Sequence, residues 1–287
     1  MEEIHSDQLS IFEVPPMDTA IQSREWVEYR PINQISDFSP VEFQISPLSS
    51  GYMDLKNSAL KVKLRLTTAN DEPVQTDDSV GLVNLALHSV FTQADCSLQQ
   101  TGVSQIGTNY PYKAYIDTLL NTHRGRETAL RPQLYIKDEN DLDSADPNGT
   151  NSGLYSRFTF TRSGQVIDLE GPVMLDIFQQ DRLIVNGVSL SLKFWPSKNT
   201  FRLMSSSENA GYKVQILDAS FKLCVQKPNP AVLMAHAKEI KSVPARKGHC
   251  RLEVRFSSPL PESITLLMYG KFPQVLYIDE ARSVFLQ

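Results

Sequence analysis

Leu60-Lys-Val-Lys-Leu-Arg-Leu66 places an apolar residue at every even position and a cation at every odd one. Successive side chains of a strand point to opposite faces, so this period of two gives one buried face and one wetted face. Val188-Ser-Leu-Ser-Leu-Lys-Phe194, Phe221-Lys-Leu-Cys-Val225 and Leu252-Glu-Val-Arg-Phe256 repeat the pattern. Tyr155-Ser-Arg-Phe-Thr-Phe160 and Val214-Gln-Ile216 carry it more weakly. The turn signals Asn148-Gly149, Ser163-Gly164, Asn186-Gly187 and Asn209-Ala-Gly211 separate these runs. Parallel sheets are covered on both faces, so alternation with a wet outer face predicts antiparallel pairing.

Around the strands the grammar is different. Residues 1–50 are punctuated by Pro15, Pro16, Pro31, Pro40 and Pro47 and keep no period. They read as an extended N-terminal arm with one short strand or helix near Glu25–Tyr29, or as a floppy terminus. Asn109-Tyr-Pro111 opens a helix over Tyr112–Leu120, with Tyr115, Ile116, Leu119 and Leu120 on one side. Asn229-Pro230 opens a second over Ala231–Lys241, with Val232, Leu233, Ala237 and Ile240 sharing a face. Lys137–Gly153, acidic and then rich in Asn, Gly and Ser, reads as a long exposed loop. Many short alternating strands with few helices predict an all-β fold: an antiparallel jelly-roll sandwich with one or two short helices.

The chain has 287 residues, 41% hydrophobic and 21% charged, enough apolar material for a packed core. Its 28 Lys and Arg against 33 Asp and Glu give a net charge of -5. That balance argues against a protein that coats nucleic acid, and no sequence-specific nucleic-acid binding is expected. Three dispersed cysteines, Cys96, Cys224 and Cys250, make no disulfide framework and fit a reducing compartment. No apolar run reaches the roughly 18–20 residues that span a bilayer. Val80–Phe91, the most apolar stretch, is broken by Asn84 and His88. No secretory signal opens the sequence, so the expectation is a soluble protein of the nucleus or cytoplasm that is not secreted. The sequon Asn148-Gly149-Thr150 then reads as an accident of a polar loop.

Catalytic and metal patterns fail on their spacing. Asp141-Leu-Asp143-Ser-Ala-Asp146 lacks the glycine at position six and the glutamate at position twelve of a calcium loop. His236 and His249-Cys250 do not have zinc spacing. Cys96 has no local base and reads as a small hydrophobe. Gly102 and Gly107 do not form a phosphate-binding loop. Lys238, Lys241, Arg246 and Lys247 surround Glu239 and read as a solvated connector. No catalytic residue, cofactor or metal is expected, and the surface itself becomes the candidate for function.

Several segments resemble the double jelly-roll major capsid proteins of Polinton (Maverick) elements and of the related adintoviruses. They are Val14-Pro-Pro-Met-Asp-Thr19 with Trp26-Val-Glu-Tyr-Arg-Pro31, Tyr52-Met-Asp-Leu-Lys-Asn-Ser-Ala-Leu60, Val80–Phe91 with Asn109–Leu120, and Leu175–Val188. Gly248–Glu262 and Tyr277-Ile-Asp-Glu-Ala-Arg282 are similar to the closing strands of those proteins' second barrel. The resemblance implies an arm at 1–50, a first jelly roll at 51–227, a helix and junction at 228–247, and closing strands at 248–287. It also implies that most of the second barrel is absent, with a join near Lys241–Lys247.

The resemblance further implies a structural protein of the virion or capsid. It would self-associate with copies of itself and other capsid proteins, as trimers in the family. Trp26, Tyr29 and Arg30 in the arm are candidate assembly contacts, as are Asp181 and Arg182 beside a strand. For each, ordinary packing or a surface ion pair is the competing reading. The apolar faces of Leu252, Val254, Phe256, Ile264, Leu266 and Met268 expect a partner sheet, so the tail should dock on its own barrel or on another chain. Two other functions stay open: a host-domesticated capsid-derived binding module, or a non-functional splice or deletion product. An enzyme or lectin on the same fold would need clustered ligands. His5, His88, His123, His236 and His249 are dispersed.

Overall fold

The computed structural model describes residues 20–104, 109–122, 127–207, 211–239, 276–279 and 281–286. Among these, twelve strands form in chain order: β1 Ile21–Tyr29, β2 Val41–Ile45, β3 Tyr52–Thr67, β4 Val80–Leu82, β5 Phe91–Leu98, β6 Thr101–Gly102, β7 Ile167–Gly171, β8 Leu190–Pro196, β9 Leu203–Ser205, β10 Lys213–Pro228, β11 Leu276–Ile278 and β12 Val284–Leu286. Five α-helices accompany them: α1 Ala86–Ser89, α2 Tyr110–Asn121, α3 Ser152–Thr161, α4 Asn199–Arg202 and α5 Pro230–Glu239.

Two four-stranded antiparallel sheets carry the fold, in the orders β1-β10-β3-β7 and β2-β8-β5-β6. With β4 and β9 set aside, because they pair with each other, eight strands remain in the two sheets. Counted along the chain, the first pairs with the eighth, the second with the seventh, the third with the sixth and the fourth with the fifth. A long antiparallel ribbon rolled on itself gives this order, and that is a jelly roll. Its interior is the even face read from β3: Leu60, Val62, Leu64 and Leu66 are fully buried against Phe43, Leu192, Phe194, Phe221 and Leu223. The outward cations are tied instead to the two neighbouring strands: Lys61 and Lys63 reach Asp168 of β7, and Arg65 donates to the Gln215 side chain of β10.

One end of the barrel collects the connections β1–β2, β3–β5, β6–β7 and β8–β10, which hold β4, β9 and helices α1 to α4. The other end collects β2–β3, β5–β6 and β7–β8. There the Gln99 amide donates to Ser189 O and the Gly187 amide to Leu48 O. Helix α5 begins at this second end, where His236 Nδ1 lies 3.0 Å from the Tyr52 hydroxyl. The hairpin β11–β12 also docks here, with Val284 in the main core.

Three expectations change. The N-terminal arm narrows, because β1 is an edge strand of one sheet and β2 an edge strand of the other. Val41, Phe43 and Ile45 are fully buried, an alternation hidden among the prolines. Residues 1–19 lie outside the described residues. Tyr155–Phe160 is not a strand but most of α3. Asn151 caps that helix, its Oδ1 accepting from the amides of Gly153 and Leu154. The buried residues Leu154, Arg157, Phe158 and Thr161 follow a helical period.

Helix α2 stands where expected but is turned over: Tyr110, Ala114, Asp117 and Thr118 face inward, while Tyr115, Leu119 and Leu120 face solvent. In α5, Val232 and Leu233 are half-buried and Ala237 is exposed. Ile240 and the strand expected at Leu252–Phe256 lie outside the described residues. Lys137–Gly153 is turns and coil as far as Asn151.

Candidate interaction surfaces

Strand β1 places Trp26, Tyr29 and Arg30 along one free sheet edge. Trp26 is 56% exposed, and its Nε1 donates to Asn57 O at 3.1 Å. Tyr29 turns inward and packs against the main core, which pushes its hydroxyl pKa upward through loss of solvent. Arg30, just past the strand, pairs with Asp218 of β10 at 2.5 Å and with Glu28 at 3.7 Å. The hydrogen bond from Arg30 holds the Asp218 carboxyl below its ordinary range. Trp26 and Arg30 therefore belong to the outer surface, and Tyr29 is half-buried against the barrel core.

Asp181 and Arg182 do not act as a pair. Asp181, in the β7–β8 connection, is bridged by Lys56 of β3. Arg182 is exposed and has no ion-pair partner among the described residues. Lys56, the partner of Asp181, also lines an open cleft of about 590 Å³ together with Asp117, Thr118, Met174, Phe178 and Gln179. Asp117, 1% exposed, is held there by Lys113 at 2.5 Å and by the Gln179 amide at 3.0 Å.

The loop end of the barrel carries a surface that sequence reading misses. Asp37 lies 3.7 Å from buried Arg202. Phe38, next to Asp37 in the β1–β2 connection, is 98% exposed, and Phe201, next to Arg202, is 36% exposed. The Phe201 ring meets Tyr112 of α2 at 5.7 Å, edge to face. Tyr112, Tyr115 and Leu119 then follow along one face of α2, at a helical spacing, with Leu120 beside them. A rim of apolar side chains turned to water at the same end of a fold marks a site of contact more often than chance exposure does. The signal is present as the amphipathic pattern of α2. Pattern alone assigns that face to the inside, because burial of Asp117 and Thr118 is not expected from residue type.

The buried polar groups near this surface have structural work. His88, fully buried, has Nδ1 2.9 Å from the Tyr110 hydroxyl and Nε2 2.9 Å from Gln133 Oε1. Burial pushes its pKa down to about 4, leaving a neutral ring at neutral pH. Cys96 and Cys224 are both buried free thiols, and burial pushes both pKa values upward. Among the described residues no three His, Cys, Asp or Glu side chains gather to hold a metal ion. No helix among them is long and apolar enough to cross a membrane.

No known family profile matches the chain. An uncharacterized protein of Caenorhabditis elegans is 23% identical over 195 residues, which is 66% of this chain and 45% of that protein. The chain thus spans less than half the length of that relative.

Proposed function

We propose that the chain is a structural protein of the double jelly-roll capsid type that works by self-association, through surfaces and without turnover. The observation that carries this reading is the order of the sheets. Pairing of first strand with eighth through fourth with fifth is the arrangement expected of the first barrel of such proteins. The apolar set Phe38, Phe201, Tyr112, Tyr115 and Leu119 supplies a contact face at the loop end, and Trp26 and Arg30 supply polar and aromatic contacts on the β1 edge. Interfaces of this kind place aromatic residues at the centre and charges at the rim. A virion, or its nuclear or cytoplasmic precursor, is the setting that belongs to the same proposal.

Size-exclusion chromatography with light scattering tests it. The parent chain should show species heavier than one chain whose fraction rises with concentration. Leu119→Glu with Leu120→Glu should shift that population toward the single chain. A second reading, a host-resident binding module derived from such a protein, draws on the occurrence of a relative in a nematode. It predicts a stable single chain that the same substitutions leave unchanged.

A further inference from the structure

Strand β1 is the outer strand of its sheet: β10 pairs with one of its edges, and among the described residues no strand pairs with the other. Five consecutive side chains, Gln22–Trp26, are exposed. The ladder with β10 is regular from Ser23 to Tyr29, and a bulge interrupts it before Ser23. Trp26 is the midpoint of that regular stretch. Val27 and Tyr29 pack against the core, so by the alternation of a strand Arg24, Trp26 and Glu28 lie on the outer face. Natural sheets blunt such an edge with charge, because its unpaired N–H and C=O groups accept another strand. Here the charges flank a tryptophan with opposite signs.

This order is self-complementary. A two-fold axis normal to the sheet through Trp26 sets β1 antiparallel to β1 of a second copy. Arg24 then stands opposite Glu28 of the copy, Glu28 opposite Arg24, and Trp26 opposite Trp26. On the inner face Ser23 stands opposite Tyr29 and Glu25 opposite Val27, so no like charges meet. Neighbouring centres lose this. An axis through Glu25 puts that carboxylate opposite itself, and one through Val27 puts Arg24 opposite Arg30 and Glu28 opposite Trp26. The intrachain ion pairs of both charges are long: Arg24 Nη2 lies 3.9 Å from Asp54, and Glu28 lies 3.7 Å from Arg30. The two side chains stay 48% and 45% exposed, open to a further partner. A hydrogen bond from Ser220, with Arg30 nearby, holds the Glu28 carboxyl below its ordinary range, so it is charged at neutral pH.

We propose that the β1 edge pairs with the β1 edge of a second copy, antiparallel and centred on Trp26, so that the two four-stranded sheets run on as one. The inference rests on the self-association proposed above and names one contact that achieves it. A second copy fits because a two-fold contact makes the patch meet itself, and this patch matches itself in reverse. Main-chain hydrogen bonds supply the adhesion, the two cross-strand ion pairs set the register, and the tryptophans occupy the centre.

The test uses two full-length charge variants, Arg24→Glu and Glu28→Arg. Between two Arg24→Glu chains carboxylate meets carboxylate at both sites, and between two Glu28→Arg chains guanidinium meets guanidinium. Each alone should dimerise about tenfold more weakly than the parent in analytical ultracentrifugation, because both cross-strand pairs turn from attractive to repulsive. A mixed pair again holds opposite charges at both sites. Equal amounts of the two, one isotopically labelled, should therefore give mixed dimers at the parent's level by native mass spectrometry, with few of either like pair. The chain carrying both substitutions should dimerise as the parent does, although both of its own intrachain pairs are then like-charged. Thermal melting of each variant checks the barrel. Single variants that associate as the parent does would overturn edge pairing while leaving self-association intact. Loss in both without recovery in the mixture would overturn it as well, because the two residues would then act within their own chain. A parent that stays a single chain at every concentration would overturn both proposals.

Discussion

Arg157 of α3, 1% exposed, lies 2.9 Å from Asp138 of the loop that precedes the helix. The same guanidinium donates to Leu82 O of β4 at 3.1 Å and to Ile136 O at 2.9 Å. One buried cation thus ties a helix, a short strand and a loop into a single end of the barrel. Removing one partner of a buried ion pair leaves the other uncompensated and costs about 3–5 kcal/mol. Asp138→Ala, which strands the buried cation, should therefore lower the urea midpoint steeply, and Arg157→Met, which strands Asp138 and the carbonyls of Leu82 and Ile136, should lower it as well. Equilibrium denaturation of both variants checks the two losses.

Burial holds the His88 pKa at about 4 in the fold, whereas an unfolded histidine titrates near 6.5. The unfolded chain then binds more protons between these values, so this group's contribution to stability falls as pH drops from about 6.5 toward 4. The full loss is of the order of 3 kcal/mol. Above pH 7 it contributes no slope. Urea midpoints at pH 4.5 to 7.5 should show the decline, and His88→Gln should flatten it.

Cys96 and Cys224 are buried, and loss of solvent pushes both thiols up, so neither thiolate is available in the fold. A Cys250→Ser variant should react slowly with a thiol reagent at pH 8 and should expose two thiols in denaturant. Fast reaction of either thiol in the native protein would contradict the packing of β5 or β10.

Gln99 and Gln100 both have positive φ, 48° and 68°, in the two-residue turn between β5 and β6. Such turns favour Asn-Gly, because residues with a side chain are strained there. Gln100 is exposed, whereas Gln99 donates from its side chain to Gly187 O at 2.8 Å. Gln100→Gly should raise stability by up to about 1 kcal/mol, and Gln99→Gly should gain less because it loses that bond. Thermal melts compare the two.

The strands of the barrel are legible where one face meets water. β3, β8 and β10 have that property, and their period of two stands in Leu60–Leu66, Leu190–Phe194 and Phe221–Val225. β1 is obscured because most of its side chains are exposed and no alternation shows, and β2 because it is five residues set among prolines; the partners of both are distant in sequence. In α3, Leu154, Phe158 and Phe160 at even positions imitate a strand, and the Asn151 cap is the better signal. In α2, pattern alone does not say which face turns inward. Tyr110, which reaches His88, and Asp117, which accepts from Lys113 and Gln179, make that choice. The contact of Phe201 with Tyr112 joins two connections far apart in the chain, so no local motif announces it.

The inverted α2 face gives a direct contrast with the sequence expectation. If Leu119 and Leu120 were core residues, Glu at either position would cost several kcal/mol. Turned to solvent, they should change stability by no more than about 0.5 kcal/mol. Circular dichroism melts of Leu119→Glu and Leu120→Glu decide between the two.

The central claim is that this jelly roll exists to be packed against its neighbours. Cryo-electron microscopy of the purified full-length chain across a concentration series tests it most directly. The account predicts trimers, flat tiles or closed shells in which each repeating unit is an eight-stranded barrel with its loop end or β1 edge against another copy. Isolated 32.3 kDa particles at every concentration and ionic strength would contradict it.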